Sequence, residues 1–195
     1  RIPHDKLLAV LKLRVTDPRV LRLIEQTLTV GVEDDGVWQA TTMGVPQGAV
    51  LSPLLANVYL HAVLDRWVQE WRKSARGQVT IVRYADDFVM GFQYRSDGVK
   101  LRRALEARLA RGGLSLHPVK TRLIEFGRFA LSNCRERQAA GKPESFDFLG
   151  FTHRCSVRRS DGGFALMRRT ISKKLRAFLQ TVKQELRARR HEGVP

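Results

Sequence analysis

The sequence predicts an α+β fold, in which antiparallel strands and amphipathic helices share a core. Residues 79–92 contain two apolar runs rich in Thr, Ile, Val, Tyr and Phe on either side of an aspartate pair, which is typical of a β-hairpin. Other stretches repeat apolar residues every three or four positions, which indicates helices with one buried face. At 195 residues, with 43% of them hydrophobic, the chain is long enough for one domain with a core and part of a second.

Two packed helices are predicted at the start of the chain. The first covers residues 5–15, where leucines fall on one helical face. Asp17 and Pro18 have the residue types favoured at an N-cap and at a first helical position. Gly31 is expected to end this second helix.

A turn is predicted over residues 33–36 and a short strand over residues 37–42. The loop over residues 44–53 contains glycine and proline, and glycine lets the backbone approach a ligand closely. Ser52 and Pro53 suit the cap and the first turn of a long helix. Apolar side chains recur in that helix at every fourth position, which predicts core packing rather than a base-stacking surface, at Leu55, Tyr59, Val63, Trp67 and Trp71.

After the hairpin, leucines at every fourth position predict a helix over residues 101–109, which Gly112 would end. A basic loop is predicted over residues 132–145 and a turn over residues 161–163. Strands are predicted over residues 114–116, 122–126, 146–151 and 164–166. Ser172 is expected to cap a final helix with its apolar residues directed inward, namely Leu175, Phe178, Leu179, Val182 and Leu186.

The charge balance predicts a polyanionic partner. The chain carries 35 Lys and Arg against 19 Asp and Glu, a net charge of +16, and residues 151–195 alone hold 12 basic and 3 acidic residues, a net of +9. Because neutralising phosphates and releasing their counterions is the affinity that such a surface supplies, nucleic acid is the leading partner. The backbone contacts are predicted at Arg168, Arg169, Lys173 and Lys174.

Other classes are disfavoured. Cys134 and Cys155 lack the spacing of a zinc site or a disulfide framework, so both are expected to be reduced thiols. No apolar run has the length of a membrane span, and no signal-peptide pattern opens the chain. The start without an initiator Met suggests an excerpt, so the absence of a targeting segment says little about location. We expect a cytoplasmic protein that associates with nucleic acid and has no membrane contact. The oligomeric state is not defined by the sequence.

The aspartate pair is the candidate metal site. Asp is depleted inside strands, so Asp86 and Asp87 are predicted at the hairpin turn. Two neighbouring carboxylates repel each other unless a cation compensates, and Mg²⁺ prefers oxygen ligands. A solvated turn is the alternative, because Asp is common in turns.

A third carboxylate is expected, because adjacent strand residues point to opposite faces and cannot both aim at one metal pair. The candidates by residue type are Asp5, Asp17, Asp34, Asp35, Asp65, Asp97, Asp147 and Asp161. Most of these lie at helix starts, in turns or on helices. The missing ligand is therefore expected upstream of Arg1.

Four motifs occur in order along the chain. They are residues 44–48 (GVPQG) with residues 52–57 (SPLLAN), residues 84–87 (YADD), residues 114–121, and residues 148–151 (FLGF). Together they resemble reverse transcriptases, in particular those encoded by bacterial group II introns. The YADD tetrapeptide alone is weak support, but the order of all four makes the resemblance specific over nearly the whole chain.

The resemblance implies a polymerase palm, with an antiparallel sheet, packed helices and partial fingers, over residues 1–167. This region would lack most of the first catalytic motif. Residues 2–4 resemble the end of that motif. Residues 168–195 would begin a helical thumb. By themselves, residues 1–195 are expected to be inactive or nearly so, because one metal ligand and most of the thumb would be missing.

The resemblance also implies site residues. Asp86 and Asp87 would bind the catalytic Mg²⁺, and Lys120 would assist the leaving pyrophosphate. The incoming nucleotide and template would contact Pro46, Gln47, Gly48 and Tyr84, and the primer grip would be Phe148, Leu149 and Gly150.

The function implied is RNA-directed DNA polymerisation, in which two Mg²⁺ ions help a DNA or RNA primer attack a dNTP on an RNA template. The alternative is a maturase, an intron splicing cofactor that binds structured intron RNA without needing to polymerise. A third interpretation is a generic basic RNA-binding domain with an acidic turn. It predicts no magnesium dependence.

Overall fold

The structure is a computed structural model that describes residues 2–29, 32–34, 37–39, 44, 51–137 and 142–190, with backbone alone at residues 32–34 and 37–39. The chain divides into two compact units, Arg1–Arg122 and Leu123–Pro195. Helices and small antiparallel sheets occur in the chain, so the predicted α+β class is confirmed.

The elements of the first unit are α1 (His4–Lys12), α2 (Pro18–Thr29), β1 (Val32–Asp34), β2 (Val37–Gln39), α3 (Ser52–Leu60), α4 (Arg66–Trp71), β3 (Val79–Tyr84), β4 (Asp87–Phe92) and α5 (Arg95–Arg111). A π-helical turn, His61–Asp65, joins α3 to α4, and a 3₁₀ turn, Arg72–Ser74, follows α4. β1 pairs with β2 and β3 with β4, both antiparallel.

The predicted core stripe is confirmed. Leu55, Tyr59 and Val63 are buried, and Trp67 and Trp71 pack half-buried against the same core. A repeat of four residues exceeds the 3.6 residues of an α-helical turn, so the stripe would drift around a regular helix. The wider π-helical turn offsets that drift, which keeps all five side chains toward the core.

Caps and turns differ in detail from the predictions. The Arg19 backbone N–H donates to Asp17 Oδ1 at 2.8 Å, as expected of the second helix start. Leu51 rather than Ser52 holds the N-cap of α3, so that prediction is wrong by one residue. The predicted turn at residues 33–36 is wrong at residues 33 and 34, which belong to β1, and residues 35 and 36 lie outside the described part of the chain.

α5 ends as predicted, with Gly112 as its C-cap and Gly113 in the left-handed region at φ 70°. A Cβ at Gly113 would overlap the ring of Pro3, so this position requires glycine. The strands predicted over residues 114–116 and 122–126 are wrong, because neither stretch pairs with a strand among the described residues. Leu114 and Leu116 are instead partly buried against the core of the first unit.

The second unit contains α6 (Ala130–Glu136), β5 (Phe146–Phe148), β6 (Phe151–Val157), β7 (Phe164–Thr170) and α7 (Ser172–Ala188), with its strands in the order β5-β6-β7. The basic loop was predicted to begin at residue 132, but residues 132–136 belong to α6. The single strand predicted over residues 146–151 is two strands joined by a turn at Leu149 and Gly150. The predicted turn at residues 161–163 is confirmed, and β7 runs beyond the predicted strand.

α7 is exposed along its whole described length. Its predicted inward residues are 37% to 68% exposed, so the prediction that they are buried is wrong for the described part of the chain. Ile171 rather than Ser172 is its N-cap. Helical periodicity correctly predicted the stripe, but it does not specify whether another element covers that stripe.

Among the described residues, neither Cys134 nor Cys155 forms a disulfide bond. Among the described helices, none has the length and apolar character needed to cross a bilayer.

Candidate active site

The aspartate pair lies at the tip of the β3–β4 hairpin. The strands pair from Val79↔Phe92 at the base to Tyr84↔Asp87 at the tip, which leaves Ala85 and Asp86 as a two-residue loop. The predicted hairpin is therefore confirmed, although Asp87 is the first residue of β4 rather than part of the turn.

Two features distinguish this tip. Ala85 has φ 52°, a left-handed conformation that costs an L-residue about 1 kcal/mol or more. Asp86 and Asp87 are both exposed, and no hydrogen bond or ion pair with another described residue neutralises either carboxylate. Strained turns and uncompensated charges are both concentrated at functional sites.

The two faces of the hairpin differ. Ile81, Phe88 and Met90 are packed against the core of the first unit. Tyr84 and Asp87 are directly opposite each other in the ladder, so their side chains share the other face. The Tyr84 ring is 65% exposed there, which makes it available to a ligand.

Arg83 is the residue that sequence reasoning missed. Its Nε and Nη2 donate to the two carboxylate oxygens of Asp65 at 2.8 and 2.7 Å. Its Nη1 donates to Asn57 Oδ1 at 2.8 Å and to the Ala85 carbonyl oxygen at 2.7 Å. The sequence contained a signal for this role. Every second residue of β3, namely Val79, Ile81 and Arg83, faces inward, and an inward arginine needs a carboxylate partner.

The electrostatics of this pair follow from its geometry. The hydrogen bonds from Arg83 lower the pKa of the Asp65 carboxyl below its ordinary value, against the opposing effect of partial burial. The same interaction raises the pKa of the Arg83 guanidinium. Both shifts favour the ionised pair, so Asp65 is a partner of Arg83 rather than a free metal ligand.

Asp97, Asp147 and Asp161 interact with neighbouring residues of the fold. Asp97 is 2% exposed and accepts a hydrogen bond from the Gly77 backbone N–H at 3.1 Å. Asp147 accepts from the Thr152 hydroxyl at 2.6 Å, and Asp161 pairs with Arg158. Asp5 is exposed in the first turn of α1, and the side chains of residues 34 and 35 are not described.

No group of three metal-ligating side chains occurs in the part of the chain that the structure describes. Asp86 and Asp87 still fit Mg²⁺ in kind, because they are exposed oxygen donors without a competing cation. They would be two of the three carboxylates that the sequence predicts.

Lys120 is exposed in a turn in which the Thr121 N–H donates to the His117 carbonyl oxygen at 3.0 Å. No described hydrogen bond or ion pair joins it to the aspartates. Of the GVPQG motif at residues 44–48, Gly44 is the residue that the structure describes, and the predicted contacts Pro46, Gln47 and Gly48 lie outside the described residues.

Residues 2–4 connect two of the predicted motifs. The Gly44 N–H donates to the Ile2 carbonyl oxygen at 2.9 Å, and the ring Nε2 of His4 lies 2.6 Å from the Gly44 carbonyl oxygen. Pro3 contacts Gly113, which precedes the Lys120 segment. The start of the Gln47 loop and the start of the Lys120 segment are therefore both held by this short stretch.

The predicted primer grip forms the β5–β6 turn in the second unit. Leu149 at φ 49° and Gly150 at φ 85° form its two-residue loop, and positive φ at both positions matches the twist of a hairpin. The Gly150 carbonyl oxygen accepts from the Ile171 N–H at 3.1 Å, which attaches the start of α7 to this turn. Lys174 Nζ lies 3.7 Å from the position that a Cβ would take at Gly150.

The residues predicted to contact the nucleic-acid backbone lie on β7 and α7. Arg168 and Arg169 lie opposite His153 and Thr152 in the β6–β7 ladder, so as neighbours on one strand they point to opposite faces. Lys173 and Lys174 are exposed in the first turn of α7. Only one of the two arginines can therefore lie on a given face of the sheet.

Comparison with known families identifies the class of protein. The family model described as reverse transcriptase (RNA-dependent DNA polymerase) matches residues 1–153. The chain therefore belongs to the reverse transcriptase family.

Individual relatives narrow the class. An uncharacterized 91 kDa protein in a cob intron of Schizosaccharomyces pombe is 41% identical over 37% of this chain and 9% of its own length. Protein YkfC of Escherichia coli is 35% identical over 46% of this chain and 30% of its own length. The group II intron-encoded protein LtrA of Lactococcus lactis subsp. cremoris is 40% identical over 34% of this chain and 11% of its own length. The chain thus spans less than a third of each, and group II intron-encoded proteins are among its relatives.

Proposed function

We propose that this chain is the palm and partial fingers, over residues 1–167, of an RNA-directed DNA polymerase, with the start of its thumb from residue 168. The observation that carries the proposal is the exposed β3–β4 tip with two carboxylates unpaired among the described residues. Two neighbouring carboxylates without a compensating charge repel each other, so such a tip is suited to bind a divalent cation. Family membership supplies the reaction class.

Asp86 and Asp87 would hold the cation. Mg²⁺ bound there would favour the primer 3′ hydroxyl as nucleophile and offset charge on the leaving pyrophosphate. Tyr84 shares the outer face with Asp87 and offers its exposed ring to the incoming nucleotide or template. Lys120 would donate positive charge or a proton to the pyrophosphate. Pro46, Gln47 and Gly48 complete the proposed nucleotide site.

The second unit would hold the primer. Leu149 is half-exposed at the β5–β6 turn, and the Lys174 ammonium lies beside Gly150. Without a side chain at Gly150, a phosphate can approach both the turn backbone and the ammonium closely. We assign the primer grip to Phe148, Leu149 and Gly150, with Lys173 and Lys174 contacting the backbone of the same strand.

The first prediction concerns Asp86→Ala in the longest natural polypeptide that contains residues 1–195. Primer extension on an RNA template should be abolished, because one of the two described metal-binding carboxylates is removed, while RNA affinity should stay within about twofold because the basic surface is intact. Extension is measured in single-turnover assays and RNA affinity by filter binding. Glu106→Ala, on the exposed face of α5, is the control and should retain extension. Extension by the Asp86→Ala variant would exclude the metal assignment.

A maturase function is the second candidate, since group II intron-encoded proteins are among the relatives and the C-terminal basic surface fits structured intron RNA. Both activities are compatible with one polypeptide acting in the cytoplasm. Asp86→Ala separates them, because a maturase variant without the metal site would still promote intron splicing.

A further inference from the structure

We propose that Arg83 is a positioning residue, whose guanidinium holds the turn carrying Asp86 in one conformation by joining the Ala85 carbonyl oxygen to Asn57 and Asp65. The proposal rests on the proposed polymerase function, because it concerns the backbone of its metal-binding turn. Arg83 itself would touch neither nucleotide nor metal.

The first support is that a single guanidinium contacts three separate segments. One edge of the Arg83 fork is taken by both carboxylate oxygens of Asp65, and Nη1 divides between Asn57 and the Ala85 carbonyl. Arginine is suited to this role because its donors are planar and rigidly spaced. The hairpin tip is thereby attached to the α3 helix and the π-helical turn, both of which are built on the core.

The second support is burial. The Arg83 side chain is 14% exposed and that of Asp65 23%, whereas Asp86 beyond the turn is exposed. A charge-assisted interaction that is shielded from water is stronger and less screened than a surface ion pair. The Arg83–Asp65 pair, called the clamp below, is therefore more buried than the turn and leaves the carboxylates of Asp86 and Asp87 free for a ligand.

The third support is backbone strain. Ala85 has a positive φ, which an alanine adopts only when its surroundings favour that conformation. The hydrogen bond from Arg83 to the Ala85 carbonyl is the described contact that holds the strained residue in place. The arrangement also gives a role to Asn57, the last residue of the SPLLAN motif.

The test uses Arg83→Lys in the longest polypeptide that contains this chain. Lysine keeps the charge, but its donors originate from one atom and cannot span Asp65 and the Ala85 carbonyl together. Amide hydrogen exchange in residues 84–88 should rise about tenfold or more, and Mn²⁺ affinity, measured by electron paramagnetic resonance, should fall by a similar factor. The maximal single-turnover rate should fall with it, while the primer–template Kd should stay within about twofold.

The matched control is Arg102→Lys, an arginine that donates to Glu106 on the exposed face of α5. It should match the wild type in all measurements. If Arg83→Lys fails to fold cooperatively, Asn57→Ala replaces it, since this change removes one contact and keeps the Arg83–Asp65 pair. It should raise exchange at the turn about threefold.

Wild-type exchange and Mn²⁺ affinity in the Arg83→Lys variant, or in Asn57→Ala where that replaces it, would overturn the positioning role. This outcome is distinguishable from failure of the polymerase proposal, which Asp86→Ala decides. Because exchange at the turn does not require activity, a clamp without a polymerase would still be detected.

Discussion

The hairpins β3–β4 and β5–β6 carry the two motifs of greatest functional interest, and they share an unusual feature. Among the described residues, Ala85 and Leu149 are the non-glycine residues with positive φ, and each is the first residue of a two-residue hairpin loop. Their supports differ. The first hairpin packs against the buried core cluster of the first unit, whereas Ala130 is the buried apolar residue described in the second unit.

The difference shows two ways of holding a strained turn. The β3–β4 tip is held by side chains, through Arg83, and its base by Asp97, which accepts from the N–H of Gly77 just before β3. The β5–β6 tip is held by backbone, through the N–H of Ile171. A side-chain clamp depends on residue identity at several positions, whereas a backbone tether depends mainly on the glycine that permits the turn.

The largest effect is expected at the base of the first hairpin. Asp97→Ala should lower the free energy of unfolding by about 2–3 kcal/mol, because it leaves the Gly77 N–H without its buried acceptor. Chemical denaturation followed by circular dichroism measures the change. The exposed Asp161→Ala is the comparison and should change stability by less than about 1 kcal/mol. Equal effects would contradict the claim that the first hairpin depends on buried side-chain support.

Exchanging glycine and alanine at the two hairpin tips should change stability by a smaller amount, and in opposite directions. Gly150→Ala should cost about 1–2 kcal/mol through φ 85° alone, because its Cβ would make only ordinary contact with Lys174. Ala85→Gly should relieve similar strain, partly offset by unfolded-state entropy, for a net gain below about 1 kcal/mol. Thermal unfolding of both variants tests this. Destabilisation by Ala85→Gly beyond the entropic cost would show that the turn is not strained.

The smallest effect should depend on pH. The folded pKa of Asp65 is lowered, so its pair with Arg83 stabilises the protein above the unfolded pKa of about 4 and loses that contribution as pH falls through the folded value. The stability difference between wild type and Asp65→Asn should be about 1 kcal/mol at pH 7 and should shrink below pH about 4. Denaturant titrations across pH measure it.

Glu70→Gln removes the exposed pair with Lys73 and serves as the control. Salt should diminish its effect but leave that of Asp65→Asn nearly unchanged, because only the exposed pair is screened. If both respond equally to salt, the Arg83–Asp65 pair is not shielded.

Some elements of the fold could be predicted from the sequence, and others could not. The hairpin at residues 79–92, the leucine stripe of α5 and the Gly112 stop were predictable, because period and turn chemistry are local. The strands predicted over residues 114–116 and 122–126 were wrong, since alternating burial does not require a ladder partner. The split of residues 146–151 at Leu149 was missed because leucine is rarely left-handed.

Part of the candidate site could likewise be predicted from the sequence, and part could not. Asp86 and Asp87 were predictable from their flanking strands, because a polar pair between two apolar runs must lie at an exposed end. The link from Arg83 to Asn57 and Asp65 was not, since the contacts span 26 and 18 residues of sequence.

The sequence by itself determined the α+β class, the reverse transcriptase motifs, the basic charge and the location of the aspartates at a hairpin end. Each of these depends on neighbouring residues or on composition. The tertiary structure alone decided that Asp65 is a partner of Arg83 and that the apolar face of α7 is exposed within the described residues. The physical reason is that pairing and burial depend on which distant segments meet, and no local pattern specifies that.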